Sequence, residues 1–259
     1  MWSYIPHTRE DKEKMCKALG IASIDELFDD IPKKVRMKGD YDIPGPMTED
    51  ELIVHMQELA GKNSHLDSHA CFLGAGVYDH FVPSVIDAMA SRGEFYTAYT
   101  PYQPEISQGT LQAIFEYQSM ICELTGMYVS NASMYDGASS FAESAFMACV
   151  ATKREKVLCS RSVNPEYRMV LKTYAHFRGV QVEEFGYKDG QVDVDDLKSK
   201  LNEEIAAVMV QSPNFFGVIE DVASIAELAH SKGALLITSA DPISLAILEA
   251  PGKLGADIV

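Results

Sequence analysis

The sequence lacks a long apolar run, paired cysteines and an excess of basic residues, and each absence excludes a class of protein. No apolar run approaches the ~20 residues needed to span a bilayer. The five cysteines form no Cys-x-x-Cys pair, which argues against a disulfide framework or a structural zinc site. Basic residues number 22 against 38 acidic ones, and no Lys/Arg cluster stands out. The net charge of −16 therefore disfavours nucleic acid and membrane surfaces as partners.

What is present matches a folded domain protein. The chain has 259 residues, of which 47% are hydrophobic and 23% charged, close to the average for globular proteins. This length allows one large domain or two smaller ones. The first residues lack the charged and apolar regions of a secretory signal, and Glu10 and Asp11 follow too soon for a transit peptide. We therefore expect a cytoplasmic protein.

Residues 1–62 are predicted to form a helical arm in front of the main body. Capping boxes at residues 23–26 and 48–51 mark two helix starts, because the hydroxyl and the later Glu satisfy free backbone donors. Gly20 and Gly61 lie where the preceding helices would end.

The part from Lys153 onward alternates between two patterns. Short β-rich runs occur at residues 157–159, 180–182, 207–210 and 235–238, and helical segments between them at 167–177, 195–201 and 223–231. This alternation predicts a mainly parallel sheet covered by helices, and so an α/β domain over residues 63–259.

Two further segments extend this domain. An apolar stripe predicts a core helix that runs to about Leu124 and stops at Gly126; its members are Leu111, Ile114, Phe115, Ile121 and Cys122. Residues 256–259 have the composition of another buried strand. Since a parallel sheet seldom stops on an uncovered strand, we expect the chain to be a fragment of a longer protein.

Three stretches are candidates for a binding site, each with a structural alternative. The turn at residues 135–140 precedes an apolar helix, and its N–H groups together with the Ser139 and Ser140 hydroxyls suit a phosphate or serve only as a helix cap. The tyrosine- and proline-rich loop at 96–105 is typical of a pocket wall or of a surface loop anchored by buried tyrosines. Asp241 ends a predicted strand, where α/β sheets place ligands, or it caps the next helix.

Two other motifs are weak. His65 and His69 have the spacing of a metal-binding pair on a helix, but Gly61 indicates that the helix has already ended. We expect solvated or hydrogen-bonded histidines and no metal site. The Gly-x-Gly at residues 74–76 lacks the third glycine of a dinucleotide fingerprint, so nicotinamide binding is not expected.

Four stretches together carry a resemblance to a known family. They are FLGAGVYDHFVP at 72–83, YTPYQPEISQG at 99–109, YQ at 117–118 and DGAS at 136–139. The chain resembles subunit 1 (alpha) of glycine dehydrogenase (decarboxylating), the P-protein of the glycine cleavage system, over essentially its whole length. It stops before the C-terminal part of that family, so the C-terminal small domain is expected to be absent.

The resemblance implies a type I pyridoxal-phosphate-dependent transferase fold and an alpha chain that pairs with a homologous beta chain. The beta chain would carry the Schiff-base lysine, so this chain would not hold pyridoxal phosphate covalently and would be inactive alone. The implied reaction decarboxylates glycine and transfers the aminomethyl group to the lipoyl arm of the carrier H-protein. Two alpha and two beta chains are the implied stoichiometry.

The resemblance also implies roles for individual residues. The predicted catalytic set lines or supports a pocket at the alpha–beta interface and comprises Tyr99, Thr100, Tyr102, Gln103 and Glu105. The predicted cofactor set matches the phosphate loop and the pyridine partner of catalytic relatives and comprises Gly137, Ala138, Ser139 and Asp241. Without a lysine in the same chain, we interpret this second set as remnants of an ancestral site.

Two alternatives stay open at the level of sequence. The chain could be a non-catalytic scaffold that stabilises the beta chain, which differs only in whether the loop at 99–105 touches substrate. It could also be an independent pyridoxal-phosphate-dependent decarboxylase or aminotransferase, although no lysine follows Asp241 at the strand-to-turn position where that chemistry needs one.

Overall fold

The computed structural model of the chain describes residues 7–72, 74 and 79–259. The chain divides into two compact units, Met1–Ala70 and Cys71–Val259. Most of the predicted Gly-x-Gly motif and part of the stretch at 72–83 lie outside the described residues.

The first unit contains three helical segments among its described residues. It contains α1 (Arg9–Leu19), a 3-10 helix (Ile24–Phe28) and α2 (Glu49–Ala60). Thr48 begins α2 with the predicted capping box, since its hydroxyl accepts from the Glu51 N–H while the Glu51 carboxylate accepts from the Thr48 N–H at 2.8 Å. Gly20 ends α1 in the left-handed conformation, with φ of 73°.

The capping box predicted at residues 23–26 is wrong. Ser23 precedes only the 3-10 helix and makes no side-chain cap. The Glu26 carboxylate accepts instead from the Ala22 N–H at 2.8 Å, one residue too early for the box. A capping box not predicted from the sequence lies at Thr8 and Asp11, at the start of α1.

The second unit contains seven α-helices and six strands among the described residues. The helices are α3 (Ser84–Ala90), α4 (Gly93–Tyr96), α5 (Gln108–Thr125), α6 (Gly137–Thr152), α7 (Pro165–Arg178), α8 (Val194–Lys200) and α9 (Val222–Ser231). The strands are β1 (Lys156–Ser160), β2 (Gln181–Phe185), β3 (Tyr187–Lys188), β4 (Gln191–Val192), β5 (Ile205–Gln211) and β6 (Leu235–Ser239). The four predicted strands and the three helices between them are thus confirmed.

The main sheet is parallel, with strand order β2-β1-β5-β6. Its central strands β1 and β5 are buried on both faces, because successive side chains point to opposite sides. On one face Val157 and Cys159 of β1 pack with α6 and α7. On the other face Leu158 packs with α8 and α9. The predicted α/β architecture is therefore present, with helices on both sides of the sheet.

Helix α5 has the predicted length and ends at Gly126 in the left-handed conformation, but it is not a core helix in this chain. Thr125 is its one buried residue, and Phe115 of the predicted stripe is 66% exposed. The other four stripe residues are half-buried. The periodicity correctly predicts a helix, but its apolar face is only partly covered within the described chain.

Two strand features complete the sheet. Residues 256–259 were predicted as a buried strand, but they form only a single parallel bridge, from Ile258 to Ile237 of β6, and Ala256 alone is buried. The β3–β4 hairpin was not predicted, although Asp189 and Gly190 in its turn, with φ of 53° and 82°, are the residues that such turns favour. Among the described residues, no helix is both long and apolar enough to cross a membrane.

We expect Leu158→Ala to destabilise the second unit. The Leu158 side chain is fully buried between the sheet and α9, so its removal leaves a cavity that costs about 2–5 kcal/mol. Urea denaturation measures this loss as a lower midpoint with an unchanged slope. The control Val150→Ala, at a residue 80% exposed on α6, is expected to stay within ~0.5 kcal/mol of the parent. Equal midpoints for both variants would contradict the assigned core.

Candidate functional site

The carboxyl edge of the parallel sheet is where this fold would hold a ligand. The chain leaves β1 for β2 on one side and returns to β5 on the other side, so the strand order reverses between β1 and β5. Open α/β sheets bind ligands in the crevice at such a reversal.

A buried hydrogen-bond network of the chain's own side chains lies at this reversal. Glu220 is 6% exposed and lies at the centre. Its carboxylate accepts from the Asn214 Nδ2 at 2.6 Å, the Ser162 Oγ at 3.1 Å and the Val192 N–H at 3.0 Å. Ser162 follows β1 and Asn214 follows β5, so one buried carboxylate joins the two central strands. No sequence pattern points to Glu220 beyond a Pro-Asn turn after a predicted strand.

The N-terminus of α6 lies at the same edge. Only three residues separate the end of α6 from the start of β1, and the helix packs on the sheet, so it runs antiparallel to the strands. Asp136 caps this helix: its carboxylate accepts from the Ser139 N–H at 2.8 Å and from the Ser139 Oγ at 2.9 Å. These two hydrogen bonds lower the pKa of Asp136 below its usual value, and the Ala138 N–H contributes a smaller effect in the same direction.

Two tyrosines of α7 lie against the start of α6. The Tyr167 hydroxyl packs directly on Gly137, and any larger residue there would overlap the phenol. The Tyr174 hydroxyl lies 3.3 Å from the Ser139 Oγ. Gly137 is therefore needed for the approach of Tyr167, which accounts for a glycine at this helix start without invoking a ligand.

The Ser139 donors at this helix start are not free for a phosphate group as they are placed. The Ser139 donors that a phosphate would use already donate to Asp136. A second anion beside that carboxylate would be repelled. Within the predicted set Gly137, Ala138 and Ser139, the Ser139 donors thus belong to a helix cap that Asp136 closes.

Asp241 lies just beyond β6, at the strand end where it was predicted. Its carboxylate accepts from the Ile243 N–H at 3.1 Å, and its carbonyl accepts from the Ser244 hydroxyl at 2.6 Å. It shapes the turn that leads into the short 3-10 helix Ser244–Ala246. The side chain is exposed and takes the role of a turn cap.

The predicted tyrosine loop projects from the second unit. Tyr99 and Tyr102 are 79% and 74% exposed, and their ring centroids lie 6.0 Å apart. Thr100, Gln103 and Glu105 are exposed as well. The hydrogen bonds of this loop are local within the described residues, such as Tyr102 N–H to the Thr100 carbonyl at 2.9 Å. No described contact joins the loop to the start of α6.

The remaining candidates have structural explanations. His65 and His69 lie in a turn, where His69 Nδ1 is 2.8 Å from the Ser68 Oγ and His65 Nδ1 is 3.5 Å from an Asp67 carboxylate oxygen. No group of three or more metal-binding side chains was found among the described residues. All five cysteines are free thiols. Burial raises the pKa of the Cys159 thiol to about 12, which makes it unreactive.

Comparison with known proteins gives these features a family context. Residues 2–259 match the family described as "Glycine cleavage system P-protein". The chain belongs to this P-protein family. The resemblance carried by the four stretches of the sequence is thereby confirmed.

Curated relatives in the P-protein family share about half of their residues with this chain. The probable glycine dehydrogenase (decarboxylating) subunit 1 of Desulforamulus reducens is 56% identical over 256 residues, which is 99% of this chain and 57% of that protein. The corresponding protein of Brevibacillus brevis is 55% identical over 259 residues, covering 100% of this chain and 58% of that protein. The chain thus spans little more than half the length of these relatives.

Solved structures agree with the family. The crystal structure of a glycine decarboxylase (P-protein) of the glycine cleavage system, in inhibitor-bound form, superimposes with a TM-score of 0.88 at 46% identity over 99% of this chain and 57% of that one. A sphingosine-1-phosphate lyase of Burkholderia pseudomallei shares the fold alone, with a TM-score of 0.55 at 14% identity over 80% of this chain and 51% of that one. The chain described here therefore has the pyridoxal-phosphate-dependent transferase fold that was predicted.

We expect Asp136→Asn to lower the thermal stability of the P-protein chain at neutral pH, because the charged cap is lost. Asp136 has a lowered pKa when folded, so its contribution is present above the usual carboxyl value of 3.8 and is lost as the pH falls through the folded value. Thermal unfolding between about pH 7 and about pH 3 measures the difference between variant and parent. A difference that persists unchanged at the acid end would contradict the assigned role.

Glu220→Gln is expected to destabilise the second unit by about 2–3 kcal/mol, because three donors lose a charged acceptor in a buried site. Denaturant unfolding tests this against Glu203→Gln, the same change at an exposed residue. If the two variants unfold at the same midpoint, Glu220 does not hold the crevice together.

Proposed function

We propose that this chain provides the alpha-subunit part of a two-subunit glycine cleavage P-protein. The observation that supports this most strongly is the match of nearly this whole chain to relatives named glycine dehydrogenase (decarboxylating) subunit 1, together with a P-protein structure of TM-score 0.88. A name with "subunit 1" implies a second subunit. Family and fold together indicate pyridoxal phosphate as the cofactor of the assembled protein.

The proposed activity is the decarboxylation of glycine with transfer of the aminomethyl group to the lipoyl arm of the H-protein. Its proposed partners are a beta subunit and the H-protein, in an assembly of two alpha and two beta chains in the cytoplasm. Within this chain, we propose an N-terminal helical arm over residues 1–62 and the large domain over 63–259.

We infer that the beta subunit holds the cofactor. Three features of this chain support the inference. Asp136 occupies the donors at the start of α6, Glu220 fills the crevice between β1 and β5, and Asp241 caps a turn. In each feature a polar group that could contact a cofactor forms a hydrogen bond within the chain. The set Gly137, Ala138, Ser139 and Asp241 is then structural.

The tyrosine loop is the part of this chain that we assign to the active site. Tyr99 and Tyr102 expose most of their surface, although large aromatic side chains are normally covered. Tyrosines with a free ring and hydroxyl are typical of interface centres, where they pack against a partner and donate a hydrogen bond. The loop carries two prolines, Pro101 and Pro104, which restrict its backbone and reduce the entropy lost on docking.

In the assembled protein, the loop would form one wall of the pocket of the beta subunit. The rings of Tyr99 and Tyr102 would exclude water and position glycine and the lipoyl sulfur. The backbone turn at Thr100 orders the loop, since its carbonyl accepts from the Tyr102 N–H. Gln103 and Glu105 would shape the polar end of this wall.

We expect Tyr102→Ala to reduce glycine–bicarbonate exchange by the reconstituted alpha–beta complex by about 100-fold, because the substrate loses its positioning wall. Exchange kinetics with lipoylated H-protein measure the effect, and size-exclusion chromatography checks that the complex still assembles. Tyr41→Ala is the matched control, since Tyr41 is 73% exposed against 74% for Tyr102. Unchanged exchange by an assembled Tyr102→Ala complex would leave this chain only a scaffold role.

A further inference from the structure

One basic run departs from the acidic character of the chain, and the expectation that no Lys/Arg cluster stands out is wrong there. Residues 33–38 read Lys-Lys-Val-Arg-Met-Lys and hold four cations without an anion. In a chain of net charge −16, no other stretch of seven residues contains four Lys or Arg. We call residues 33–38 the basic turn.

The basic turn is ordered and presents its lysines to solvent. The Val35 N–H donates to the Pro32 carbonyl at 2.9 Å, and the Arg36 Nη2 pairs with the Asp29 carboxylate at 3.2 Å. Lys33, Lys34 and Lys38 are exposed, and none forms an ion pair with another residue of the described chain. Three cations on a backbone fixed by a turn and one ion pair are thus available to a partner.

The same turn also exposes apolar surface. Val35 is 66% exposed and Met37 is 57% exposed, and both alternate with the cations. Exposed apolar side chains with charged neighbours have the composition of a protein docking surface, in which the apolar groups bury area and the charges at the rim speed association.

The range of electrostatic forces decides between the anionic partners. A nucleic acid or a membrane is an extended polyanion and would meet the acidic surface beyond the turn as well. A compact protein with a local patch of carboxylates interacts mainly within about 8 Å, the screening length at physiological salt. Asp30 and Asp40 flank the turn and would repel carboxylates placed beyond it. A small acidic protein patch is therefore the partner that fits.

We propose that the basic turn docks a carboxylate-rich face of a protein partner. Resting on the function proposed above, this partner is the lipoyl-bearing H-protein, which has to approach the complex in every reaction cycle. The three free lysines attract its carboxylates, and Val35 and Met37 bury apolar area once contact is made.

The test compares two triple variants of this chain in the reconstituted alpha–beta complex. Lys33→Glu with Lys34→Glu and Lys38→Glu reverses the basic turn. The control is Lys12→Glu with Lys62→Glu and Lys232→Glu, which reverses three exposed lysines elsewhere that form no ion pair with the described residues. Each triple variant changes the net charge equally, from −16 by −6 to −22.

We expect the basic-turn variant to weaken H-protein binding and raise its KM by about tenfold, with kcat unchanged and a weaker dependence of binding on salt. The control is expected to stay within about twofold of the parent. Exchange with free lipoate, which needs no docking face, should be equal in all three complexes.

Several outcomes would overturn the proposal. They are an unchanged Kd for H-protein in the basic-turn variant, an equal loss in both variants, and an equal loss with free lipoate. Titration calorimetry measures the Kd for H-protein without turnover, so this result does not depend on catalytic activity. The proposed function is tested separately, and it fails if the parent complex shows no glycine–bicarbonate exchange. If the charge-reversal variant of the basic turn does not assemble, the triple Lys→Gln variant of the same three lysines replaces it in the test. We expect it to weaken H-protein binding as well.

Discussion

The burial of β1 and β5 on both faces is the constraint on which the second unit depends. Side chains of these strands alternate between two helix layers, so neither layer can be removed without exposing the core. The same constraint leaves the carboxyl edge of the sheet as the place where polar groups gather. Glu220 satisfies that edge from inside, through donors that follow both central strands.

The hydrogen bonds within the chain at this edge affect whether the fold can bind a ligand there. Folds of this type place ligands at the strand ends, whereas here a buried carboxylate and the Asp136 cap occupy the donors. The chain also exposes many aromatic side chains, among them Tyr99 and Tyr102 of the predicted loop. Under the proposed function, the fold is a rigid support for this loop, which completes the pocket of another chain.

The sequence was sufficient to predict the strands and helices of the sheet domain, but not the hydrogen-bond network at the carboxyl edge of the sheet. Strands and helices of the second unit followed from periodicity, because each segment is buried on a regular pattern. The exposure of α5 could not be predicted in the same way. An apolar stripe that contains Phe115 indicates that one face of the helix should be buried, but it does not indicate which segment or chain buries that face. The network around Glu220 could not be predicted, because it joins distant parts of the chain. Ser162 lies 58 residues from Glu220 in the sequence, Val192 lies 28 residues away and Asn214 lies 6 residues away. The resemblance supplied the site residues, and the structure supplied the contacts that explain Asp136 and Gly137.

The central claim is that this chain is closed to the cofactor and lends its loop to a partner that holds it. The most direct measurement is borohydride reduction of the assembled complex with pyridoxal phosphate, followed by mass spectrometry of both chains. The account predicts a pyridoxyl-lysine on the partner chain and none on this one. A pyridoxyl-lysine mapped to any lysine of this chain would contradict it.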